Sequence, residues 1–312
     1  MPPRISELRF DGQVVIVTGA GRGLGRAYAR LLASRGAAIL VNDAGVGSAG
    51  EDTTDFRHPA DDCVAAIVAA GGRASASYTS VVRSEGAGAI VAQALREFGR
   101  VDALINNAGI GLDKPFGETS EEEVRRVLDV HFMGTALMCH AAWGPMRAAN
   151  YGRIVNTTSA GIFGYVNCSA YSAAKGAILA FTRSLAIEAA AGNVRVNCIS
   201  PAAATRMTAG VGMDAAQRSW MERALPVDAV APAVAYLAHE SCALQGETLS
   251  AAGGAVRRYL LGETAGFRST QLTPEGVAQN VAAITDPDSF QPFATTNEAV
   301  ARAAALEQSG EV

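Results

Sequence analysis

Short apolar runs recur along this 312-residue chain, and longer helical patterns separate them. Residues 13–18 (QVVIVT), 38–43, 73–78, 101–106 (VDALIN), 153–157 (RIVNT) and 194–199 (VRVNCI) read as strands, with a last one at 247–250. Helical stretches fall near 24–35, 58–70, 84–98, 120–142 and 170–190. Strands that are apolar throughout, without alternation, are buried on both faces. Joined by helices, they predict an α/β fold, a Rossmann-like, doubly wound parallel sheet of about seven strands with helices on both faces.

The rhythm breaks twice. Residues 44–55 (AGVGSAGEDTTD) are glycine-rich and polar, and read as a long flexible loop. From about residue 262 the strand–helix alternation stops. There Thr273-Pro274 and Asp286-Pro287 bracket a short helical stretch, and 299–308 looks like a weak Ala-rich helix. The expected organisation is one domain over 1–261 and a C-terminal extension over 262–312, a candidate cover for an active site. A chain that is 49% hydrophobic and 18% charged has room for such a domain.

Composition excludes several classes. The net charge is −4 and no basic run stands out, so nucleic acid is not an expected partner. The first residues lack the apolar stretch of a signal peptide, and no long apolar segment is free of charge. No membrane association is expected. Five scattered cysteines form no Cys-x-x-Cys pair, which fits reduced thiols in a cytoplasmic protein. The four histidines do not cluster, so no metal site is expected.

The turn after the first strand reads Thr18-Gly19-Ala20-Gly21-Arg22-Gly23-Leu24-Gly25 and opens a helix. A dinucleotide pyrophosphate needs backbone N–H groups close by at a helix N-terminus, and side chains there block the approach. A glycine cluster alone also suits a tight turn; its place between strand and helix points to a site. Asp43 ends the second strand, 24 residues after Gly19. Its carboxylate suits the adenosine ribose hydroxyls and repels a 2′-phosphate, favouring NAD over NADP; a turn cap is the other reading. Arg22 pulls the other way.

Tyr171-Ser172-Ala173-Ala174-Lys175 sets tyrosine and lysine on one helix face. A free phenol titrates at about 10, and a neighbouring ammonium moves it toward a usable acid/base. The strand at 153–157 runs into Thr158-Ser159, hydroxyls placed to hold a carbonyl oxygen.

The ordered set Thr18…Gly23-x-Gly25, Asn106-Asn107-Ala108-Gly109, Ser159, Tyr171-x-x-x-Lys175 and Asn197-x-x-Ser200-Pro201 resembles the short-chain dehydrogenase/reductase family over about residues 8–256. The resemblance implies an NAD-dependent enzyme interconverting a secondary alcohol and a ketone. Tyr171 would exchange the proton, Ser159 polarise the carbonyl, and Lys175 assist Tyr171 and bind the nicotinamide ribose. Asn107, Ala108 and Gly109 would shape the cofactor cleft, with Gly19, Arg22, Gly23, Leu24, Gly25 and Asp43. Pro201 and Thr205 would lie at the nicotinamide, Thr205 on its carboxamide. Val41-Asn42-Asp43, Val130-His131-Phe132 and Ser184-Leu185-Ala186-Ile187-Glu188 resemble the (3R)-hydroxyacyl-CoA dehydrogenase domains of multifunctional enzymes and related bacterial hydroxysteroid dehydrogenases.

Four places depart from the family pattern. Ser159 stands one residue nearer to Tyr171 than usual, so Thr158 competes for the hydroxyl role; stiff strand register favours Ser159. His131 replaces an asparagine whose role is to hold a water near the lysine; it is a proton relay or simply a bonded helix histidine. Thr79 stands near the adenine where an aspartate is usual. Ala202, not glycine, follows Pro201.

Residues 202–221, carrying Met207, Met213 and Trp220, are a candidate apolar wall for an acyl-CoA or steroid substrate, or else an amphipathic helix closing on the core. Arg206, Arg218 and Arg223 are candidates for CoA phosphates. Family habit and the small residues Ala173, Ala177 and Ala180 predict a homodimer or homotetramer. The rival function is a nucleotide-binding regulator on a catalytically decayed scaffold.

Overall fold

The computed structural model describes residues 6–51, 58–209 and 214–309. Backbone contacts divide it into two units, Met1–Arg257 and Arg258–Val312. In the first, the strands are β1 (Val14–Thr18), β2 (Ala38–Asn42), β3 (Arg73–Ser77), β4 (Ala103–Asn106), β5 (Gly152–Thr157), β6 (Val194–Ala202), β7 (Thr248–Ala252) and β8 (Ala255–Arg258). They form one sheet in the order β3-β2-β1-β4-β5-β6-β7-β8, parallel from β3 to β7. The order reverses between β1 and β4, where an open α/β sheet splits to form a ligand crevice.

The helices are α1 (Gly23–Ser34), α2 (Pro59–Ala69), α3 (Ser84–Phe98), α4 (Glu121–Leu128), α5 (Gly134–Ala148), α6 (Ser169–Ala189), α7 (Arg206–Ala209), α8 (Ala215–Ala224) and α9 (Ala231–Ala238). Alternate β1 side chains feed two cores. Val15 and Val17 pack with Tyr28, Leu32 and Val234, while Val14 and Ile16 pack with Ile90, Met138 and Met146. This double burial explains the unbroken VVIVT run. Each such aliphatic side chain contributes about 1.5–3 kcal/mol on leaving water.

The structure differs from the sequence expectation at identifiable places. The sheet has eight strands, because a Gly253-Gly254 turn sends the chain back as β8. β6 continues through Pro201 to Ala202, held by pairing with Ala251 and Ala252 of β7. The helix expected at 120–142 is α4, a π-helical turn over Asp129–Met133, and α5, which runs through Pro145 to Ala148. Residues 44–51 are tied by several hydrogen bonds and are no free loop; the remainder of that stretch lies outside the described residues.

Arg153 is buried at the start of β5 with no carboxylate partner among the described residues. Its guanidinium donates to the carbonyls of Gly152, Asn193, His239 and Glu240 instead. Carbonyl dipoles thus replace the water lost on burial.

The second unit contains β9 (Gly262–Glu263), α10 (Pro274–Gln279), α11 (Val281–Ile284), β10 (Gln291–Pro292) and α12 (Thr296–Ser309). β9 and β10 pair antiparallel. Thr273 caps α10 through a hydrogen bond from Gly276 N–H at 3.0 Å.

Candidate active site

A cavity of about 430 Å³ opens at the carboxyl ends of β1, β2 and β4. Its walls include Gly19, Arg22, Gly23, Leu24, Asp43, Thr79, Asn107, Ala108, Gly109 and Thr205, which the sequence had singled out. Gly25 and Pro201 do not line it. Gly25 instead packs α1 against the glycine turn: a Cβ there would lie 2.3 Å from the Gly19 carbonyl oxygen. Gly23 has φ +53°, and a Cβ on it would project into open space, with only Thr205 within 4 Å. The backbone is therefore bare where a phosphate would approach, and the residues present fit a dinucleotide.

Asp43 uses both carboxylate oxygens. Oδ2 accepts from Gly21 N–H at 2.9 Å and Oδ1 from Gly45 N–H at 2.8 Å. Each oxygen keeps a lone pair for another donor. The turn-cap and ribose-ligand readings of this residue are therefore compatible. Thr18, which the sequence reading used only as a motif marker, is the clasp of the crevice. Its hydroxyl oxygen accepts from Asn107 N–H at 3.0 Å and Ala108 N–H at 3.1 Å. The Asn107 amide donates back to the Thr18 and Gly19 carbonyls at 3.0 and 3.1 Å.

Ser159, Tyr171 and Lys175 come together next to this cavity, not in its lining. Tyr171 packs in a small cluster with Ile110, a wall residue. A Cβ on Gly161 would lie 3.3 Å from Tyr171 Cε1 and 3.5 Å from Ser159 Oγ, so the serine and the phenol share one corner. Burial pushes the Tyr171 phenol up, and a hydrogen bond from Ser159 pulls it partly back. The resting phenol is thus an acid. The Lys175 Nζ lies 5.6 Å from the Tyr171 ring centroid and donates to the Thr157 carbonyl at 2.8 Å. Burial lowers the ammonium to about 8. Desolvation, and not the ammonium effect expected from sequence, sets the direction of the phenol's shift.

Thr158 is buried and donates its hydroxyl hydrogen to the Lys175 carbonyl at 2.8 Å. Ser159 Oγ accepts from Gly161 N–H at 3.1 Å, which leaves its hydrogen available.

His131 is buried within the π-helical turn. Its ring stands edge-on to Tyr171, with centroids 5.2 Å apart. Nε2 lies 2.7 Å from the Ile110 carbonyl oxygen and 3.1 Å from the Ile110 nitrogen. The shorter contact assigns the ring hydrogen to Nε2. Nδ1 is then a buried acceptor without a partner among the described residues. Burial first, then the Lys175 charge, lowers the imidazole to about 3, so it is neutral at physiological pH. The extra residue of the π turn sets the helix phase: Val130 lines the cavity while His131 faces Tyr171.

The model of the short chain dehydrogenase family matches residues 13–216. The chain belongs to the short-chain dehydrogenase family. It is 42% identical over 292 residues to peroxisomal multifunctional enzyme type 2 of Mus musculus, covering 90% of this chain and 38% of the mouse protein. The chain thus spans about two fifths of that relative's length. A crystal structure of a short chain dehydrogenase from Mycobacterium avium superposes with TM-score 0.75 at 33% identity, covering 91% of this chain and 97% of that one. A 7α-hydroxysteroid dehydrogenase complexed with NADH and 7-oxo glycochenodeoxycholic acid gives TM-score 0.69 at 26% identity over 79% of this chain and 95% of that one.

The comparisons support the subgroup resemblance to the dehydrogenase part of multifunctional enzyme type 2. Sequence reasoning missed Arg126, Val130 and the wall formed by 46–48 and Gly50. The position of Val130, one residue before His131, was the available signal for the helix wall. Met213 lies outside the described residues, Met207 lines the cavity, and Trp220 is exposed. Among the described residues no helix is long and apolar enough to cross a membrane.

Proposed function

We propose that this chain is an NAD-dependent dehydrogenase of secondary alcohols, with Tyr171 as the proton-exchanging group. The observation that carries the reading is the shared corner of Ser159 and Tyr171 beside a bare-backboned crevice with Asp43 at its far end. Bound dinucleotide would supply the hydride acceptor or donor. Gly23, Asn107 and Thr205 would hold it, with Asp43 on the adenosine ribose. Asp43 favours NAD because a 2′-phosphate would meet a carboxylate already fixed by two backbone N–H groups.

In ketone reduction the Ser159 hydroxyl donates to the carbonyl oxygen and the Tyr171 phenol delivers the proton to it. In alcohol oxidation the proton returns to Tyr171. Lys175 keeps positive charge beside the phenol, and its hydrogen bond to Thr157 fixes its direction. Thr158 holds the lysine backbone and has no hydrogen left for substrate, which favours Ser159 as the carbonyl-binding hydroxyl.

For the substrate we propose a 3-hydroxyacyl-CoA or a hydroxysteroid, on the strength of the multifunctional-enzyme relatives and the steroid-bound neighbour. Phe116, Phe163, Tyr165 and Val166 are exposed on segments near the catalytic corner and supply apolar surface for such a molecule. Purified protein, NAD and a panel of (3R)-hydroxyacyl thioesters, hydroxysteroids and simple secondary alcohols provide the test. The reading expects rising absorbance at about 340 nm as NADH forms. NAD binding without turnover of any alcohol would support the decayed-scaffold alternative instead.

We also propose a homo-oligomer paired through α5 and α6, where Ala173, Ala180 and Ile187 of α6 are exposed, as is Met133 just before α5. A monomeric mass by light scattering contradicts it. Residues 262–312 are proposed to serve the substrate: their deletion changes substrate KM more than NAD affinity, and the reverse outcome rejects this.

A further inference from the structure

Segment 44–51 leaves the end of β2 and ends in a tight turn, where Gly47 N–H donates to the Glu51 carbonyl at 2.7 Å and Gly50 N–H to the Gly47 carbonyl at 3.1 Å. At its root Gly45 donates to Asp43 Oδ1 at 2.8 Å. Midway, the Gly111 N–H donates to the Ser48 carbonyl at 2.7 Å, joining the loop after β2 to the loop after β4. Gly50 lies against Ile110, where an added Cβ would come within 3.3 Å of Cγ2. In the sheet β2 and β4 flank β1 on opposite sides. A chain that runs from one to the other must pass over the end of β1, where the glycine turn begins. Val46, Gly47, Ser48 and Gly50 are accordingly part of the cavity wall.

The end of the segment is charged. Glu51 accepts from Ala49 N–H at 2.9 Å. Arg126 of α4 and Arg206 of α7 stand in the same cavity wall. Backbone N–H groups of Glu51 and Ala49, then the charges of Arg206 and Arg126, hold the Glu51 carboxyl below the usual carboxylate range.

We propose that Glu51 is a positioning residue for the dinucleotide: attracted by Arg126 and Arg206, it draws segment 44–51 across the crevice as a strap that must release before the cofactor leaves. The proposal rests on the dinucleotide reading of the crevice. Its holding forces are one backbone hydrogen bond, one glycine–isoleucine contact and an exposed charge cluster. Only the last is screened by salt.

The test uses the full chain and NADH. Equilibrium NADH binding to wild type is measured first by fluorescence; absence of binding rejects the dinucleotide reading and the strap together. Release is then followed by stopped flow after a chase with excess NAD. Glu51→Gln is expected to speed NADH release by about threefold or more, while Glu51→Asp falls between it and wild type. Raising salt from about 0.05 to about 0.5 M speeds release from wild type and has little effect on Glu51→Gln. Substrate KM at saturating NAD changes by less than about twofold, since the substitution removes a charge from the loop after β2 and none from the Ser159–Tyr171 corner. In hydrogen exchange, amides of 44–51 and the Gly111 amide gain protection when wild type is saturated with NADH. NADH that binds normally but leaves Glu51→Gln at the wild-type rate and with the wild-type salt dependence overturns the strap alone. Unchanged amide exchange on NADH saturation does the same.

Discussion

Thr158 donates its hydroxyl hydrogen to the backbone carbonyl of Lys175 at 2.8 Å. The lysine side chain returns to the same strand end, donating to the Thr157 carbonyl at 2.8 Å. The two bonds stitch the end of β5 to α6 and leave the neighbouring Ser159 as the hydroxyl with a hydrogen to spare. The adjacent hydroxyls should therefore fail differently. Ser159→Ala is expected to lower kcat by about 100-fold or more with little change in melting temperature, because a donor to the reacting oxygen is lost. Thr158→Ala is expected to cost about 1–2 kcal/mol of stability with a smaller loss of kcat, because a buried carbonyl loses its partner. Steady-state kinetics with urea unfolding separates the two; a Thr158→Ala variant that is stable but inactive contradicts the assignment.

Lys175 should reveal itself in pH dependence. Its ammonium is lowered to about 8 by burial, against an ordinary value of 10.5. The unfolded chain therefore holds this proton over a range where the folded chain has released it. The burial penalty is fully present below about 8, and stability recovers as pH rises from there to 10.5. Lys175→Met should raise stability at neutral pH by about 1–3 kcal/mol, remove that alkaline recovery and abolish turnover. Ketone reduction by wild type should decline above about 8 as the ammonium is lost. A stability profile that is the same for wild type and variant from neutral to alkaline pH counts against this.

His131 makes the same demand at the acid end. Its folded value of about 3 lies well below the unfolded 6.5, so the stability it allows is complete above 6.5 and is lost as pH falls toward 3. By pH of about 5 the loss from this residue reaches about 2 kcal/mol. His131→Asn should flatten that part of the profile and, since an amide can still meet Ile110, retain measurable turnover. Equal acid sensitivity of the two proteins would falsify the buried, neutral imidazole.

Much of this architecture was legible before any coordinates, for physical reasons. The VVIVT run announced a strand buried on both faces, and the glycine turn after it announced a bare backbone facing a crevice. The Tyr171–Lys175 spacing put both residues on one face of a helix. What stayed hidden depended on contacts distant in sequence. Thr18 reaches Asn107 and Ala108 only because β1 and β4 are adjacent. Residues 44–51 looked like a free loop because the bond that ties them to the loop after β4 is made by Gly111, about sixty residues further on. The π turn at Asp129–Met133 leaves no mark in hydrophobic periodicity, yet it decides where His131 points. β8 was lost because its residues AVRR are mostly exposed and carry no apolar run.

The central claim is that Tyr171 carries the proton while the crevice carries the dinucleotide, and one comparison tests it. NADH affinity and single-turnover alcohol oxidation should be measured for wild type and Tyr171→Phe. The account predicts NADH binding within about threefold of wild type and a chemical step slower by about 1,000-fold or more. A variant that oxidises alcohol at close to the wild-type rate would contradict it.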